Sequence, residues 1–453
     1  MVKAILDNKL RIKKSDLTQE QLRTIRDKFN FDVKNDMIQL YTYKDGYIVL
    51  PPNPSYIDFD LDVDDRRIAP YIESPKCSIS PKDHQIEWER QLEECKYNAV
   101  IESGTGTGKS AFLLYLQNKL QTPLLFVASQ TSFLINFKNE VIKFYGNALL
   151  VTNIDSKWDG RPAPFMLVSV QLLNRRKDIQ AKLYDQCGIV ASDEIHKLAG
   201  GKFREAIQSV RPKYRIGLSA TPIVKVKNFT QACFSSNFVR TLDTNIVPIS
   251  ILSFYLQFDP YYDIMGGDFM ARKKEYTTNK RFIRSLAEGV EHIVKDRKRH
   301  CLVYSDLGDA QRAYKEAFDK RGIKSVIVNK DSTKDEVIQI LKDFEAGKID
   351  IVISGVMMVE SVSLYKLSVI IMTTQIPARS LGGRNSIVQL LGRLRRFDED
   401  ICNHSKIFID LTFSSFDKYY QSRIPVYNEV EGVKILKQIK SENTDFAHYI
   451  KKG

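Results

Sequence analysis

From about residue 76 the chain repeats one pattern: a short apolar run, a polar turn, then an amphipathic stretch of helical length. Ala99–Glu102, Leu124–Ala128, Ala148–Val151, Phe165–Val168, Gly188–Ser192 and Tyr214–Leu218 read as strands, with helices such as Ala111–Leu120 and Phe133–Phe144 between them. Strands that are apolar on both faces and separated by helices bury themselves only in a parallel sheet covered above and below. The alternation pauses between about 222 and 280, where Val247–Phe258 reads as a strand. Asp259–Asn279 there reads as a polar connector that sets Tyr261, Tyr262 and Phe269 near Arg272, Lys273 and Lys274. This connector fits either a strand-separating or backbone-tracking element or an ordinary linker. The alternation then resumes with helices Lys280–Lys295, Leu307–Lys320 and Lys334–Ala346. The strands of this second series are His300–Tyr304, Ser325–Val328, Ile349–Ile353, Ser368–Met372 and Lys406–Leu411, and a basic helical tail follows. The predicted fold class is α/β, with two tandem parallel-sheet domains at residues 76–247 and 248–453.

Residues 1–75 differ. Ala4–Ile12 reads as a strand turning at Asp7-Asn8, and Thr18-x-x-Gln21 is a capping-box signal ahead of Leu22, Ile25 and Phe29 on one helical face. Tyr41–Leu50 alternates about Asp45-Gly46, a hairpin signal. Pro51, Pro52, Pro54, the acidic alternation Asp58-Phe59-Asp60-Leu61-Asp62, Pro70 and Pro75 then read as an irregular linker. A small N-terminal α+β domain is expected here.

The 453 residues give ample length for two large cores, and 43% hydrophobic with 27% charged residues is a soluble globular balance. Charge is 68 − 55 = +13, which favours a polyanionic partner, nucleic acid or an anionic membrane surface. The N-terminus lacks the apolar core of a signal peptide, and no apolar run approaches the roughly 20 residues that span a bilayer. The membrane option therefore falls, and a cytosolic protein is expected. Cys77, Cys95, Cys187, Cys233, Cys301 and Cys402 are scattered, with no C-x2–4-C spacing, so zinc-ribbon and redox motifs are excluded.

Ser103-Gly104-Thr105-Gly106-Thr107-Gly108-Lys109-Ser110 follows a predicted strand and opens a predicted helix. In that setting backbone N–H groups can wrap phosphates, which makes ATP the expected ligand. Lys109 supplies a point charge for the β- and γ-phosphates and Ser110 a hydroxyl for Mg²⁺, although the strict pattern wants glycine where Ser103 stands. Asp193-Glu194 follows Gly188–Ser192. Asp193 is positioned to reach Mg²⁺ directly or through water, and Glu194 to deprotonate the attacking water.

These residues resemble a superfamily-two helicase. Gly106-Thr107-Gly108-Lys109-Ser110 with a non-glycine first position is usual in that family. Asp193-Glu194-Ile195-His196 looks like its DExH box, Ser219-Ala220-Thr221-Pro222 its SAT motif, and Gln389-Leu390-Leu391-Gly392-Arg393-Leu394-Arg395-Arg396 its Q-x-x-G-R-x-x-R motif. The resemblance covers roughly residues 80–413 and implies two RecA-like domains with ATP between them. It further implies Arg393 and Arg396 as fingers on the γ-phosphate, with Gln389 near the attacking water; guanidinium groups suit this because they stay charged and fork onto phosphate oxygens. Gln85 is implied as the adenine reader. Ser129-Gln130-Thr131, Ser169-Val170-Gln171 and Ser305 fall at positions that contact the sugar-phosphate backbone. Glu360-Ser361-Val362-Ser363 departs from motif V, placing serine at both Ser361 and Ser363 where relatives carry glycine and an acid or amide.

Within the superfamily the layout is similar to phage branch-migration helicases of the UvsW type, which set a small DNA-binding domain before the motor. Leu22–Phe31 and the hairpin Tyr43–Ile48 carry that likeness, and residues 1–30 hold a surplus of 8 − 4 = +4, including Lys9, Arg11 and Lys13. The reading is a DNA helicase or translocase on forks and four-way junctions, using ATP and Mg²⁺ and acting as a monomer without zinc. An RNA helicase, a restriction-type translocase subunit, and a P-loop kinase or nucleotide-gated binding module are the alternatives.

Overall fold

The computed structural model describes every residue except 34–35, 104–106, 194, 196–200, 220–226, 235–236, 241–246, 257–268, 330, 356–363, 380, 396–404, 431, 442–445 and 453. Two compact units result, Met1–Asp243 and Thr244–Gly453.

The first unit opens with a hairpin of β1 (Val2–Leu6) and β2 (Leu10–Lys13) and the helix α1 (Gln19–Lys28). Thr18 Oγ1 accepts from Gln21 N while Gln21 Oε1 accepts from Thr18 N, so the expected capping box closes in both directions. A short ribbon follows, β3 (Asn30–Val33) and β4 (Asp36–Gln39), then the expected hairpin, β5 (Thr42–Lys44) and β6 (Tyr47–Leu50). Its turn has φ of 49° at Asp45 and 80° at Gly46, the doubly left-handed geometry that matches strand twist. The acidic alternation is not linker. Leu61–Asp65 forms β7, parallel to β1 from Val2↔Leu61 to Leu6↔Asp65, because its period of two turns Leu61 and Val63 toward the core while the acids face water. Among the described residues the sheet order is β5-β6-β2-β1-β7.

Next comes the first α/β layer: α2 (Asp83–Glu94), β8 (Asn98–Glu102), α3 (Lys109–Leu120), β9 (Leu124–Ala128), α4 (Thr131–Tyr145), β10 (Val151–Asn153) and β11 (Phe165–Ser169). It continues with α5 (Val170–Arg175), α6 (Lys177–Leu183), β12 (Ile189–Ser192), α7 (Gly201–Ile207), β13 (Tyr214–Ser219), α8 (Lys227–Cys233) and β14 (Asn237–Arg240). Among the described residues these strands make an all-parallel sheet, β10-β11-β9-β12-β13-β8-β14.

The small domain is joined to this layer by a continuous apolar cluster running from Leu6, Ile12 and Phe29 into Ile207, Phe229 and Phe234. Phe31 meets Phe229 edge to face at 5.3 Å, a pair worth about 0.5–1.5 kcal/mol beyond area. Polar clasps flank it. Asn8 Nδ2 donates to Gln208 O (2.9 Å), Lys9 Nζ to Gln208 Oε1, and Asn53 Nδ2 to Gln231 O. The chain after β7 is pinned as it crosses: Ile68 N donates to Arg211 O (3.1 Å), Gln117 Nε2 to Ser74 Oγ (2.8 Å), and Ser78 Oγ to Phe144 O (2.7 Å).

The second unit contains β15 (Ile249–Leu256), α9 (Phe269–Thr277), α10 (Lys280–Glu291), β16 (His300–Tyr304), α11 (Gly308–Asp319), β17 (Ser325–Val328), α12 (Lys334–Glu345) and β18 (Ile351–Ser354). It ends with β19 (Leu367–Met372), α13 (Leu381–Leu394), β20 (Lys406–Phe413), α14 (Asp417–Glu429), β21 (Val433–Ser441) and α15 (Phe446–Lys452). Among the described residues its parallel sheet runs β17-β18-β16-β19-β20-β15-β21. The expected helical tail is thus interrupted by a strand. Val433 and Ile435 pack on the core while Lys434, Leu436 and Lys437 are exposed, the lysine-studded alternation of a protected sheet edge.

Candidate nucleotide site and nucleic-acid surface

In the first sheet five of the described motif segments follow a strand at the carboxyl edge. From one side the series runs Ser169-Gln171 after β11, Ser129-Gln130 after β9, Asp193 after β12, Ser219 ending β13, and Ser103 after β8. Five segments scattered over more than a hundred residues of chain therefore fall on five adjacent strands, the edge at which open α/β sheets hold ligands. Neighbours are tied directly. Ser103 N donates to Ser219 O (3.0 Å), Ser192 Oγ to Val127 O (2.7 Å), and Gln171 Nε2 to Ser129 O (2.9 Å). Ser169 Oγ accepts from Leu172 N (3.2 Å) and so caps α5, a structural duty that the expected backbone contact did not include.

The phosphate loop is held from behind by α2. Gly108, at φ 82°, is the N-cap of α3, and Lys109 is its first residue, buried, with Nζ donating to Ser103 O (2.8 Å). Ser103 Oγ donates to Thr107 Oγ1 (3.0 Å). Gln85 is buried with both amide ends engaged: Oε1 accepts from Lys82 N (3.0 Å), and Nε2 donates to Thr107 O (3.3 Å) and Gly108 O (3.1 Å). In this structure it grips the loop. His84, which the sequence did not single out, adds a bond from Nε2 to Thr107 O (2.9 Å) and sets its ring edge-on to Trp88. A carbonyl only accepts, so the proton sits on Nε2. Its place beside Gln85 in the first turn of α2 was the available signal. Gly104, Thr105, Gly106, Glu194 and His196, with Ala220, Thr221 and Pro222, lie outside the described residues.

Ser110 lies in the first turn of α3 and Asp193 follows β12, separated from β8 by the single strand β13, roughly 10 Å at ordinary strand spacing. A hydroxyl and a carboxylate are hard oxygen donors, the set that suits Mg²⁺ when phosphates complete the shell. Among the described residues no group of three His, Cys, Asp or Glu gathers to hold a metal by itself, and no helix is long and apolar enough to cross a membrane.

In the second unit Gln389 and Arg393 stand four residues apart on α13 and so share a face, both partly exposed, while Ile387, Leu390, Leu391 and Leu394 fill the core. Arg396, Ser361 and Ser363 lie outside the described residues. Two expectations change. Ser305 is 1% exposed and faces the interior, its carbonyl accepting from Gln311 Nε2 (2.6 Å), so its hydroxyl is not presented to a strand. Two bases of the 259–279 connector are also committed: Lys273 Nζ donates to Asp306 Oδ2 and Lys274 pairs with Asp309, each at 2.5 Å, which fastens α9 to the start of α11. Tyr261 and Tyr262 lie outside the described residues.

The small domain sorts its cations in an unexpected way. Lys9 points into the seam with α7 and α8. Burial is the main cause that lowers its pKa to about 8, with the charges of Arg215 and Arg204 acting in the same direction. It is therefore removed from the candidate contacts. Arg11 pairs with Asp7 and is partly covered. Lys13 is exposed, together with Lys14, Arg26 and Lys44. Lys14 and Arg26 flank Tyr43, 45% exposed, whose ring lies 5.5 Å from Lys14 Nζ and 5.9 Å from the Arg26 guanidinium, and whose hydroxyl accepts from Arg26 Nε (3.0 Å). Lys13 and Lys44 both pair with Tyr47 and so face the other side of the sheet from Tyr43, which pairs with Ile48.

A phosphate loop and an acidic strand end on one α/β layer, followed by a second layer bearing a Gln–Arg helix, define a nucleotide-driven motor. Residues 78–224 match the family described as Type III restriction enzyme, res subunit, and residues 284–398 the Helicase conserved C-terminal domain. The protein described as Probable helicase D10 of Escherichia phage T5 is 24% identical over 347 residues, covering 76% of this chain and 73% of the relative. Among solved structures, S. cerevisiae Dbp5 bound to RNA and ADP BeF3 shares the fold, with a TM-score of 0.61 over 82% of this chain and 93% of that one at 14% identity. T4 UvsW covers 97% of this chain and 99% of its own at 15% identity, but with a TM-score of 0.40 the superposition is too loose to carry an argument. The chain belongs to the superfamily-two helicases, ATP-dependent enzymes that act on nucleic acid, and it resembles phage helicases.

Proposed function

We propose that this helicase works on DNA, translocating and remodelling branched structures such as forks and four-way junctions as a monomer. The observation that carries the reading is the basic and aromatic face of the small domain. Lys14 and Arg26 beside Tyr43 offer phosphate neutralisation next to a ring on which a base can stack. That face is built on a domain clasped to the ATP-binding layer, so contact made there is not lost on a slack tether. The net charge of +13 supports the same reading.

In this reading the loop amides of Gly104, Thr105, Gly106, Thr107 and Gly108 wrap the triphosphate, and Lys109 leaves Ser103 O to reach the β- and γ-phosphates. Ser110 and Asp193 hold Mg²⁺, which neutralises phosphate charge when bound. Glu194 takes the proton of the attacking water. Arg393 and Arg396 supply the charge on the γ-phosphate, a role worth roughly 10³–10⁵ in rate in such enzymes, with Gln389 beside them. Gln85 and His84 hold the loop; adenine reading by Gln85 requires its amide to exchange the partners it has. Ser129, Gln130 and Gln171 remain the strand-contact candidates of the first unit, acting on phosphates without sequence preference.

The test is ATPase and strand-displacement activity over forks, four-way junctions, linear duplex, single strands and RNA. Branched DNA should stimulate most, and replacing Lys14, Arg26 and Tyr43 by alanine should remove that preference. Glu194→Gln should bind ATP tightly without turnover. Hydrolysis indifferent to DNA refutes the motor reading, and equal or stronger stimulation by RNA replaces the DNA reading.

A further inference from the structure

Three adjacent strands of the second unit change character together on one face. Toward α14 the inward residues of β15 are Ile249, Ile251, then Ser253; those of β20 are Phe408, then Asp410 and Thr412; and those of β21 are Val433 and Ile435, then Gln438 opposite Ser253. The apolar half is sealed by Val426 and Tyr427 of α14. The polar half, under the N-terminal turn of the same helix, opens into a cavity of about 310 Å³ at the carboxyl ends of the strands. That lies at the small end of the roughly 300–1,000 Å³ typical of small-molecule pockets.

Its floor carries unmet hydrogen-bonding capacity. Ser253 is 3% exposed and Tyr420 is 5% exposed, and neither hydroxyl has a hydrogen-bond partner of acceptable geometry. Burial raises the Tyr420 hydroxyl's pKa, and the Ser253 and Gln438 side chains, which lie within hydrogen-bonding reach of it, lower it again only in part. The ion pair beneath is saturated by contrast. Asp410 accepts from Arg423 Nε and Nη2 (both 2.9 Å) and from Tyr427 OH (2.7 Å), and Arg423 Nη1 donates to Ile376 O (3.0 Å). Arg423 is therefore not available to an anion, and the lining itself has one carboxylate, Asp417, and no basic side chain. Tyr255 and Tyr420 supply ring surface, while Asp417 and Gln421 retain acceptor capacity beyond their mutual 3.3 Å bond.

We infer that this cavity binds a nucleobase that presents an exocyclic amino group, as guanine, adenine and cytosine do and thymine does not. A neutral flat ring fits where phosphate is repelled. The amino group answers the carboxylate, and the ring acceptors answer Ser253 and Tyr420. Aromatic walls with hydrogen bonds to the base edge are how proteins hold a base outside a stack. Nucleotides and nucleic acid are what a helicase meets, so the base comes either from free nucleoside or from a strand.

The full chain, saturated with inorganic triphosphate so that the phosphate-loop site is filled without adding a base, is titrated with deoxyguanosine, deoxyadenosine, deoxycytidine and thymidine by saturation-transfer NMR. The first three should bind and thymidine should bind roughly tenfold or more weakly, as loss of a good base-edge contact implies. Ser253→Leu should abolish binding while melting temperature and ATPase stay as in the wild type, and Asp417→Asn should erase the preference over thymidine. Gln438→Leu, at an exposed edge position, serves if Ser253→Leu does not fold. No binding at millimolar nucleoside, equal binding of thymidine, or binding unchanged in a folded pocket variant overturns the inference. Oligo-dT with and without one central dC separates the sources. A gain from dC that Ser253→Leu removes assigns the strand, and nucleoside binding without that gain assigns the free base. Only this last arm rests on the DNA reading.

Discussion

Gly108→Ala tests whether α2 really sets the shape of the phosphate loop. A Cβ built at Gly108 would lie 2.7 Å from Gln85 Nε2, closer than non-bonded atoms tolerate, and the residue sits at φ 82°. The flexible end of a glutamine could ordinarily swing aside. Here it is buried, and moving it breaks the bonds to Thr107 O and Gly108 O. Left-handed backbone costs alanine about 1–2 kcal/mol, and each lost hydrogen bond about 0.5–1.5 kcal/mol. The total is on the order of 2–5 kcal/mol, felt by the loop that must wrap phosphates. If half of it appears in nucleotide affinity, Kd for ATP rises about 5- to 70-fold. Fluorescent-nucleotide titration reads the affinity, and thermal melting checks that the variant is folded. The decisive step is the cycle with Gln85→Ala, which vacates the space the new methyl needs. The double variant should then bind ATP better than the sum of the single losses allows, with a coupling of about 1–3 kcal/mol. Additive losses, or a folded Gly108→Ala that binds ATP normally, would show that Gln85 does not govern the loop.

Three further outcomes follow from the geometry. Lys9 has a folded pKa of about 8 against an ordinary 10.5, so between those values the unfolded chain holds more protons and stability should rise with pH; the melting temperature of the wild type should gain on that of Lys9→Met from pH 8 to 10, and a flat or reversed trend rejects the buried placement. Arg423→Leu strands the Asp410 carboxylate at 0% exposure and should cost about 3–5 kcal/mol in chemical denaturation, whereas the paired change with Asp410→Asn should recover much of it. DNA stimulation should fall steeply between about 50 and 200 mM salt, and Lys14→Ala should lower the slope of log affinity against log salt by about 1 while Lys9→Met leaves it unchanged.

The strand–helix alternation made both parallel sheets legible, because buried parallel strands advertise themselves as apolar runs. Elements at sheet edges were harder. β7 and β21 alternate charged and apolar residues, and the same composition serves a solvated linker or tail until a neighbouring strand is known. The loop, Asp193 and Ser219 could be placed from sequence since each follows a strand, and parallel strands deliver their ends to one edge. The bonds behind the loop could not: His84 sits on a helix that meets Thr107 only through tertiary packing. Ser305 misled for the opposite reason. A serine after a strand looks solvent-facing, but Gln311 folds over its carbonyl and closes the position.

The small domain shows why counting charge is weaker than placing it. Lys9, Arg11 and Lys13 stand two residues apart, so strand alternation alone would turn all three to the face opposite Leu10 and Ile12; the strand begins only at Leu10, which leaves Lys9 outside that alternation. The strand's register decides which serve the outside. Pairing of Ile12 with Ala4 and Ile48 commits Leu10 and Ile12 to the core, and the loop before Leu10 carries Lys9 under α7 and α8. Burying an ammonium there is costly, and its lowered pKa records that cost. The compensating gain is a fixed seam, with Gln208 and Gln231 read by Lys9, Asn8 and Asn53 and an aromatic pair between them. Of the cations that remain outside, Lys14 and Arg26 flank Tyr43, while Lys13 and Lys44 lie on the other face of the same sheet. A domain organised in this way gives up one phosphate contact to hold the others steady relative to the ATP-binding layer. If the Tyr43 face grips DNA, loosening the seam with Asn53→Ala and Phe31→Ala should weaken the coupling of DNA binding to ATPase more than it weakens DNA binding itself, a separation that simple loss of charge cannot produce.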